Sequence, residues 1–239
     1  MDCASSAKMP LLDATAVTPT GDWNVYSPAA RIVCSTNILW FFIPVAWSWQ
    51  LPERSVLLTM FWAADVFLLG AALNYWLDGT RYTWKMFLDI IAVVTFGCLG
   101  AAYALSLGGM VPYVTAIPGL VFAISFIVNC MQLTSCGGAA KVNTTWLLSF
   151  ISYRWGGLAS AIIVTSVANN ATLQSIWTSC IYKVLVVTVA FYLHNLKVWY
   201  ETLPLNRLKG RAGREFASTA LRYILEVGVL CAVCAAMCS

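Results

Sequence analysis

Apolar residues in this chain fall into seven runs, near 32–51, 56–77, 86–107, 110–133, 145–168, 176–199 and 217–238, joined by short, more polar connections. A helix needs about 20 mostly apolar residues to cross a bilayer, and each run meets that length. Barrel strands are about ten residues long and alternate in polarity. Stretches such as VLVVTVAFYL and IIAVVTFGCLGAAYAL are instead apolar on every side. Backbone groups in lipid must be satisfied within their own segment, and a helix does that. The pattern predicts an all-α fold: a polytopic membrane protein, a bundle of about seven transmembrane helices over 32–239, behind a cytosolic N-terminal tail over 1–31. The tail contains Pro10, Pro19, Gly21 and Pro28 and lacks the basic start and apolar core of a signal peptide. Short connections make sequential helices antiparallel neighbours. A functional site is therefore expected inside the bundle or at its mouth.

Composition agrees with this picture. Of the 239 residues 60% are apolar and 10% charged, against about a quarter charged in a soluble domain. Charge also orients the bundle. With the N-terminus in the cytosol, Lys8, Arg31, Arg81, Lys85, Lys141, Arg207, Lys209, Arg211 and Arg214 share one side, and Arg54 stands alone on the other. Positive residues concentrate on cytoplasmic loops, so the expectation is N-terminus in and C-terminus out. The basic loop RLKGRAGR serves first as a topology anchor, with contact to acidic headgroups as the alternative. The net charge of +4 is thus no sign of nucleic-acid binding. Cys34, Cys98, Cys130, Cys180, Cys231, Cys234 and Cys238 lie within apolar runs, where a thiol acts as a small hydrophobe. The CxxC spacing of Cys231 and Cys234 in an apolar helix gives weak support to redox or zinc chemistry.

Charges at membrane depth cost about 2.5–3.5 kcal/mol each on insertion scales, so each needs a reason. Asp65, Arg154 and Glu226 fall near span centres, and Lys183 lies in the outer half of its helix. Asp89, His194, Lys197 and Arg222 sit nearer the cytosolic side, with Glu201 at the interface. A purely structural account is available. Lys197 and Arg222 can snorkel, Arg222 and Glu226 can neutralise each other at i,i+4, and Asp65 can pair with Arg154 between helices. The functional account places these groups around a shared cavity. Desolvation there favours a neutral carboxyl, which can act as a general acid.

Aromatic residues add to that account, with eleven Trp, ten Tyr and eleven Phe. Trp40, Trp47, Trp49, Tyr75, Trp76, Trp84, Trp146 and Trp199 lie towards span ends and fit an interfacial belt. Trp62, Trp155, Phe67, Phe126 and Phe191 sit deeper. Aromatic faces attract cations, so a neutral acid beside such faces suits carbocation chemistry. Core packing is the ordinary role of any single ring. Other site types find little support. One histidine is too few for a histidine-rich metal site. There is no DDxxD-like cluster for magnesium-bound diphosphate and no Gly-rich phosphate loop. Lys183 has no carboxylate near it in sequence to support a retinal Schiff base. Neither a metal nor an organic cofactor is expected.

Three stretches together resemble the fungal integral-membrane terpene cyclases of meroterpenoid and indole-diterpene biosynthesis. Asn37-Ile38-Leu39-Trp40 followed by Pro52-Glu53-Arg54 is similar to the family's N-x-x-W-E helix and P-E-R turn. Phe61-Trp62-Ala63-Ala64-Asp65-Val66 resembles the aspartate-bearing helix after that turn. Met131-Gln132-Leu133, a Gly-rich loop and Tyr153-Arg154-Trp155-Gly156-Gly157 resemble the Q-L-L, R-G loop and S-R-F-L-G sequence of later helices. The similarity covers roughly 33–200. It departs at two carboxyls: the glutamate after the tryptophan falls on Phe41, and the acidic residue of the last matching helix falls near His194-Asn195. The family's first helix has no counterpart upstream of residue 32, and 217–238 supplies a further helix downstream.

The resemblance implies a metal-independent cyclase of secondary metabolism in the endoplasmic reticulum membrane. Its substrate would be a lipid-soluble prenylated aromatic or indole compound, epoxidised, taken from among the membrane lipids. Asp65 is then the first choice of acid and Glu226 the second. Arg154 would orient one of them, and Trp40, Trp62 and Trp155 would line the cavity. The alternative is a small multi-pass transporter or channel that uses Asp65, Arg154, Lys183 and Glu226 as a proton or ion relay. A third reading is a non-catalytic membrane subunit whose charges pair with a partner's helices.

Overall fold

The computed structural model describes residues 26–49, 55–78, 83–135, 144–168, 173–207 and 212–238, except for the side chains of 129–135, 144–145, 173–177, 207, 212–213 and 238. The tail up to residue 25, the Pro52-Glu53-Arg54 turn, the Gln132 side chain, the Gly-rich loop, the cations Lys8, Arg81 and Lys141 and most of the RLKGRAGR loop lie outside the described residues. Every described element is helical, and seven helices are long and apolar enough to cross a membrane. The protein is an all-α multi-pass membrane bundle.

The first span is a broken helix. It consists of α1 (Pro28–Asn37), a 3-10 stretch (Ile38–Phe41) and α2 (Phe42–Trp49). It starts inside the stretch assigned to the tail because Ser27 caps it, accepting from the Ala30 N–H at 3.2 Å, and Pro28 follows in the first turn. A capping serine followed by proline is a strong helix start. The break follows from Pro44, which has no N–H to offer the Trp40 carbonyl and whose ring crowds it. The backbone tightens over 38–41, and Cys231 Sγ donates to the Leu39 carbonyl at 3.4 Å.

The remaining spans are α3 (Val56–Asp78), α4 (Trp84–Leu107), α5 (Val111–Ser135), α6 (Thr144–Ala168), α7 (Leu173–Thr202) and α8 (Ala212–Cys238). The helices α3 and α4 pack as one antiparallel pair, and α5 and α6 as another. The first span runs through the middle, against α3 and α6 on one side and α7 and α8 on the other. It is the most buried span. Trp47 Nε1 donates to the Ala235 carbonyl at 3.1 Å, which ties α8 to it. Outward faces carry Ile91, Leu120, Ile124, Leu185, Leu225 and Val229, all exposed, as lipid contact requires.

The α5–α6 pair is tight at one point and the α4–α5 pair is loose. A Cβ on Gly156 would lie 2.6 Å from the Pro118 carbonyl oxygen, so only glycine allows that approach. Pro118 lies inside α5, and nearby Ser160 Oγ donates across to the Thr115 carbonyl at 2.9 Å. A Cβ on Gly97 would meet nothing within 4 Å, so no neighbour approaches α4 closely there. Small residues on α4 (Gly97, Gly100, Ala104) face small residues on α5 and α6 (Gly119, Gly157, Ala161), and the space between them stays unfilled.

Candidate functional site

That space is a cavity of about 560 Å³ within the membrane-spanning part of the bundle, a volume in the range of small-molecule pockets. Its walls are almost wholly apolar. Phe41 comes from the 3-10 stretch, Phe61 and Leu68 from α3, Phe96 from α4 and Tyr153 from α6. The rings form a continuous surface: Phe61 stacks on Phe96 at 5.1 Å and Phe41 meets Phe96 edge-on at 5.5 Å. Leu105 and Leu120 also line it and are exposed on the outside of the bundle, so the cavity opens between α4 and α5 towards lipid.

The wall carries one charged side chain. It belongs to Arg154, which is 3% exposed. Its guanidinium lies 3.5 Å from Asp89 Oδ1 and sits over the rings of Phe150 and Tyr153, at 5.2 and 5.8 Å. A separation of 3.5 Å is long for a charge-assisted hydrogen bond, and both Arg154 Nε and Asp89 Oδ1 lack a hydrogen-bond partner. The expected pairing of Asp65 with Arg154 is replaced by Asp89 with Arg154. Those two helices turn Asp89 and Arg154 towards each other.

Asp65 is 2% exposed, and its Oδ1 has no hydrogen-bond partner. It does not itself line the cavity. It lies on α3 between Phe61 (i−4) and Leu68 (i+3), both wall residues, and so shares their helix face. Asp65 thus stands one turn from the wall on either side, at mid-span.

The other expected site residues are dispersed. Glu226 is half-buried on α8 and bonded to Arg222 at 3.0 Å and Lys197 at 3.4 Å, away from the cavity. Those contacts also supply partners for the two cations expected to snorkel. Trp40 is fully buried against Phe191 and His194, on the α7 side of the first span. Trp62 packs on Trp49 at 5.4 Å. Trp155 faces Phe122 and Tyr192 and donates to Thr188 Oγ1 at 2.7 Å. None of the three tryptophans lines the cavity; each of these helices is apolar on several faces, and the indoles sit on faces turned elsewhere. The four members of the relay alternative are also apart: Lys183 lies over the Trp47 ring at 4.9 Å, while Arg154 and Glu226 keep the partners just described.

Sequence reasoning overlooked Phe41, Phe61, Phe96 and Tyr153 as wall residues. The signal that marks them is the spacing of small residues opposite, Gly97-x-x-Gly100-x-x-x-Ala104 on α4 and Ala116-x-x-Gly119-x-x-x-Ala123 on α5. Two such stripes at helical spacing leave room that neighbouring rings border.

The class defined at this point is a polytopic helical membrane protein with an aromatic-walled cavity open to lipid and a buried carboxyl beside its wall. The chain matches no family model, no curated protein and no solved structure.

Proposed function

We propose that this protein is a membrane terpene cyclase acting on a prenylated, epoxidised aromatic or indole substrate in the endoplasmic reticulum membrane. The observation that carries the reading is the face of α3 that presents Phe61 and Leu68 to the cavity and holds the buried, unpartnered Asp65 between them. A lipid-soluble substrate enters between α4 and α5 and lies along the Phe41, Phe61 and Phe96 rings. Where its aromatic head carries an oxygen, that oxygen accepts from Arg154, whose Nε lacks a partner. Its isoprenoid chain fills the apolar remainder.

In this mechanism Asp65 is a neutral carboxylic acid, because a lone charge there would be desolvated. It reaches the substrate between Phe61 and Leu68 and donates its proton to the epoxide oxygen. The C–O bond at the more substituted carbon breaks, leaving a hydroxyl and a carbocation. Neighbouring alkenes attack the cation in turn while the ring faces stabilise the positive charge. Loss of a proton from the last cation, finally to the Asp65 carboxylate, restores the acid. The product is an isomer of the substrate, so no co-reactant is consumed. The role given to the wall rings replaces the one expected of Trp40, Trp62 and Trp155. Glu226 takes no part, since it lies outside the cavity, bonded to Arg222 and Lys197.

The test is a product assay on membranes carrying the native protein or Asp65→Asn, incubated with farnesylated and geranylgeranylated aromatic epoxides. A new product of unchanged mass is expected with the native protein and not with Asp65→Asn, at equal amounts of inserted protein. No conversion by the native protein across these substrates would reject the reading.

A further inference from the structure

A second polar region lies across the bundle, where α8 runs beside α7. Tyr223 Oη donates to Glu201. The Arg222 guanidinium lies 3.7 Å from Glu201 and 3.0 Å from Glu226, and Lys197 completes the strip at 3.4 Å from Glu226. The strip begins near the α7–α8 connection and reaches the middle of α8. Arg222 and Lys197 are exposed at 61% and 50% of their side-chain surface, although they lie within spans. Bare hydrocarbon is a poor surrounding for such groups, and charges at this depth usually face a water-filled space.

The inner end of the strip raises a separate question. One turn of α7 beyond Lys197 lies His194, 5% exposed, with Nε2 lacking a partner. Its ring is 6.0 Å from that of Trp40, whose Nε1 also lacks a partner. Asn195 Oδ1 and both polar atoms of the Asn37 amide are in the same condition, on residues adjoining His194 and one turn from Trp40. Four buried polar side chains with unmet hydrogen bonds thus gather where the first span meets α7. Buried polar groups are normally satisfied by protein or by ordered water. Few backbone contacts join α7 and α8 directly, and both helices pack on the first span.

We propose that the α7–α8 seam is a hydrated inlet, leading water and exchangeable protons from the α7–α8 connection along Glu201, Arg222, Glu226 and Lys197 to a water site at His194, Asn195, Trp40 and Asn37. The same water answers both observations: it hydrates the exposed cations and supplies the missing partners. The inlet is distinct from the lipid-facing cavity and does not depend on the cyclase reading. It gives the bundle an apolar access route on one side and an aqueous one on the other.

His194 is the sole histidine of the chain, so its labelling is unambiguous. The experiment is hydroxyl-radical footprinting of the full-length protein in lipid nanodiscs, with residue-resolved mass spectrometry. Radicals formed from bound water oxidise the side chains beside it. Phe150, buried among Trp76, Trp146 and Phe126, is the dry control. Expected is faster oxidation of His194 and Trp40 than of Phe150 in the native protein. In the charge-balanced double variant Lys197→Leu with Glu226→Leu, His194 labelling should fall to the Phe150 level while exposed Trp49 is unchanged. His194 labelling no faster than Phe150 in the native protein would overturn the inlet, whatever the variant does. Fast labelling that persists undiminished in the double variant would overturn the route.

Discussion

The surroundings of the cavity, on α3 to α6, and the strip along α7 and α8 both hold carboxylates and an arginine within spans, and they treat them in opposite ways. On the strip every carboxylate has a cation within 3.7 Å, and the side chains are partly exposed. At the cavity Arg154 and Asp89 are buried and loosely paired, while Asp65 is buried with Oδ1 unpartnered. Depth along the helix is similar for Asp65 and Glu226, so depth alone does not give a carboxyl its chemistry. Partners and burial do: Glu226 keeps two cations in contact, whereas Asp65 is enclosed beside an apolar wall with its Oδ1 unpartnered.

The widest expected gap between the two regions is in turnover. Removing a general acid costs about 10²–10⁴-fold, so Asp65→Asn should leave product formation at the background of control membranes. Glu226→Gln should keep most of the native rate. The same assay reads both, normalised to inserted protein, and equal losses in the two variants would erase the distinction.

Stability should separate the regions next. Arg154→Met leaves Asp89 buried without its cation, and breaking a buried pair costs about 3–5 kcal/mol. Lys197→Met, on the half-exposed strip, should cost no more than about 1 kcal/mol. Unfolding in mixed detergent micelles would compare them. Restoring much of the loss by the double variant Arg154→Met with Asp89→Leu would attribute it to the stranded carboxylate.

How far the sequence alone reaches is set by which constraint lipid imposes. Span number and approximate length were legible because the bilayer fixes how many apolar residues a helix needs. The start of the first span at Pro28 was misjudged by hydropathy, since Ser27 and Pro28 are polar or neutral yet form the cap. Inward faces were much less legible. In water an apolar stripe marks the buried side of a helix, but here the lipid side is apolar too. Nothing in the sequence told that Trp62 would pack on Trp49, or that Phe61, one residue earlier, would face the cavity. The partner of Arg154 depended on the rotation of α4 against α6, which no local pattern encodes. Asp65 was legible as an unusual residue because an unpaired carboxyl in lipid is costly wherever it points. Glu226 gave the same signal and belonged elsewhere.

A smaller effect tests why the cavity exists. In Gly156→Ala the added Cβ would press on the Pro118 carbonyl, and overpacking of this kind costs about 1–3 kcal/mol. Gly97→Ala adds a methyl where nothing lies within 4 Å and should leave stability nearly unchanged while narrowing the cavity. Detergent unfolding of the two variants, set beside their apparent affinity for an aromatic epoxide, would show opposite profiles. Gly156→Ala should lose stability first, and Gly97→Ala should lose binding first.

The smallest expected effect concerns Trp155, which shares α6 with Arg154 but points to α5 and α7. Trp155→Phe keeps most of the contact with Phe122 and Tyr192 and removes the hydrogen bond to Thr188. A single neutral hydrogen bond contributes about 1 kcal/mol, and Thr188 Oγ1 retains its bond to the Val184 carbonyl at 2.6 Å. The loss in unfolding free energy should therefore stay near that figure. Because the indole is absent from the cavity wall, KM for the aromatic epoxide should not change. Phe96→Leu, which shrinks a wall ring, should raise KM instead. A raised KM in Trp155→Phe at native stability would mean that α6 turns during binding and brings the indole into the wall.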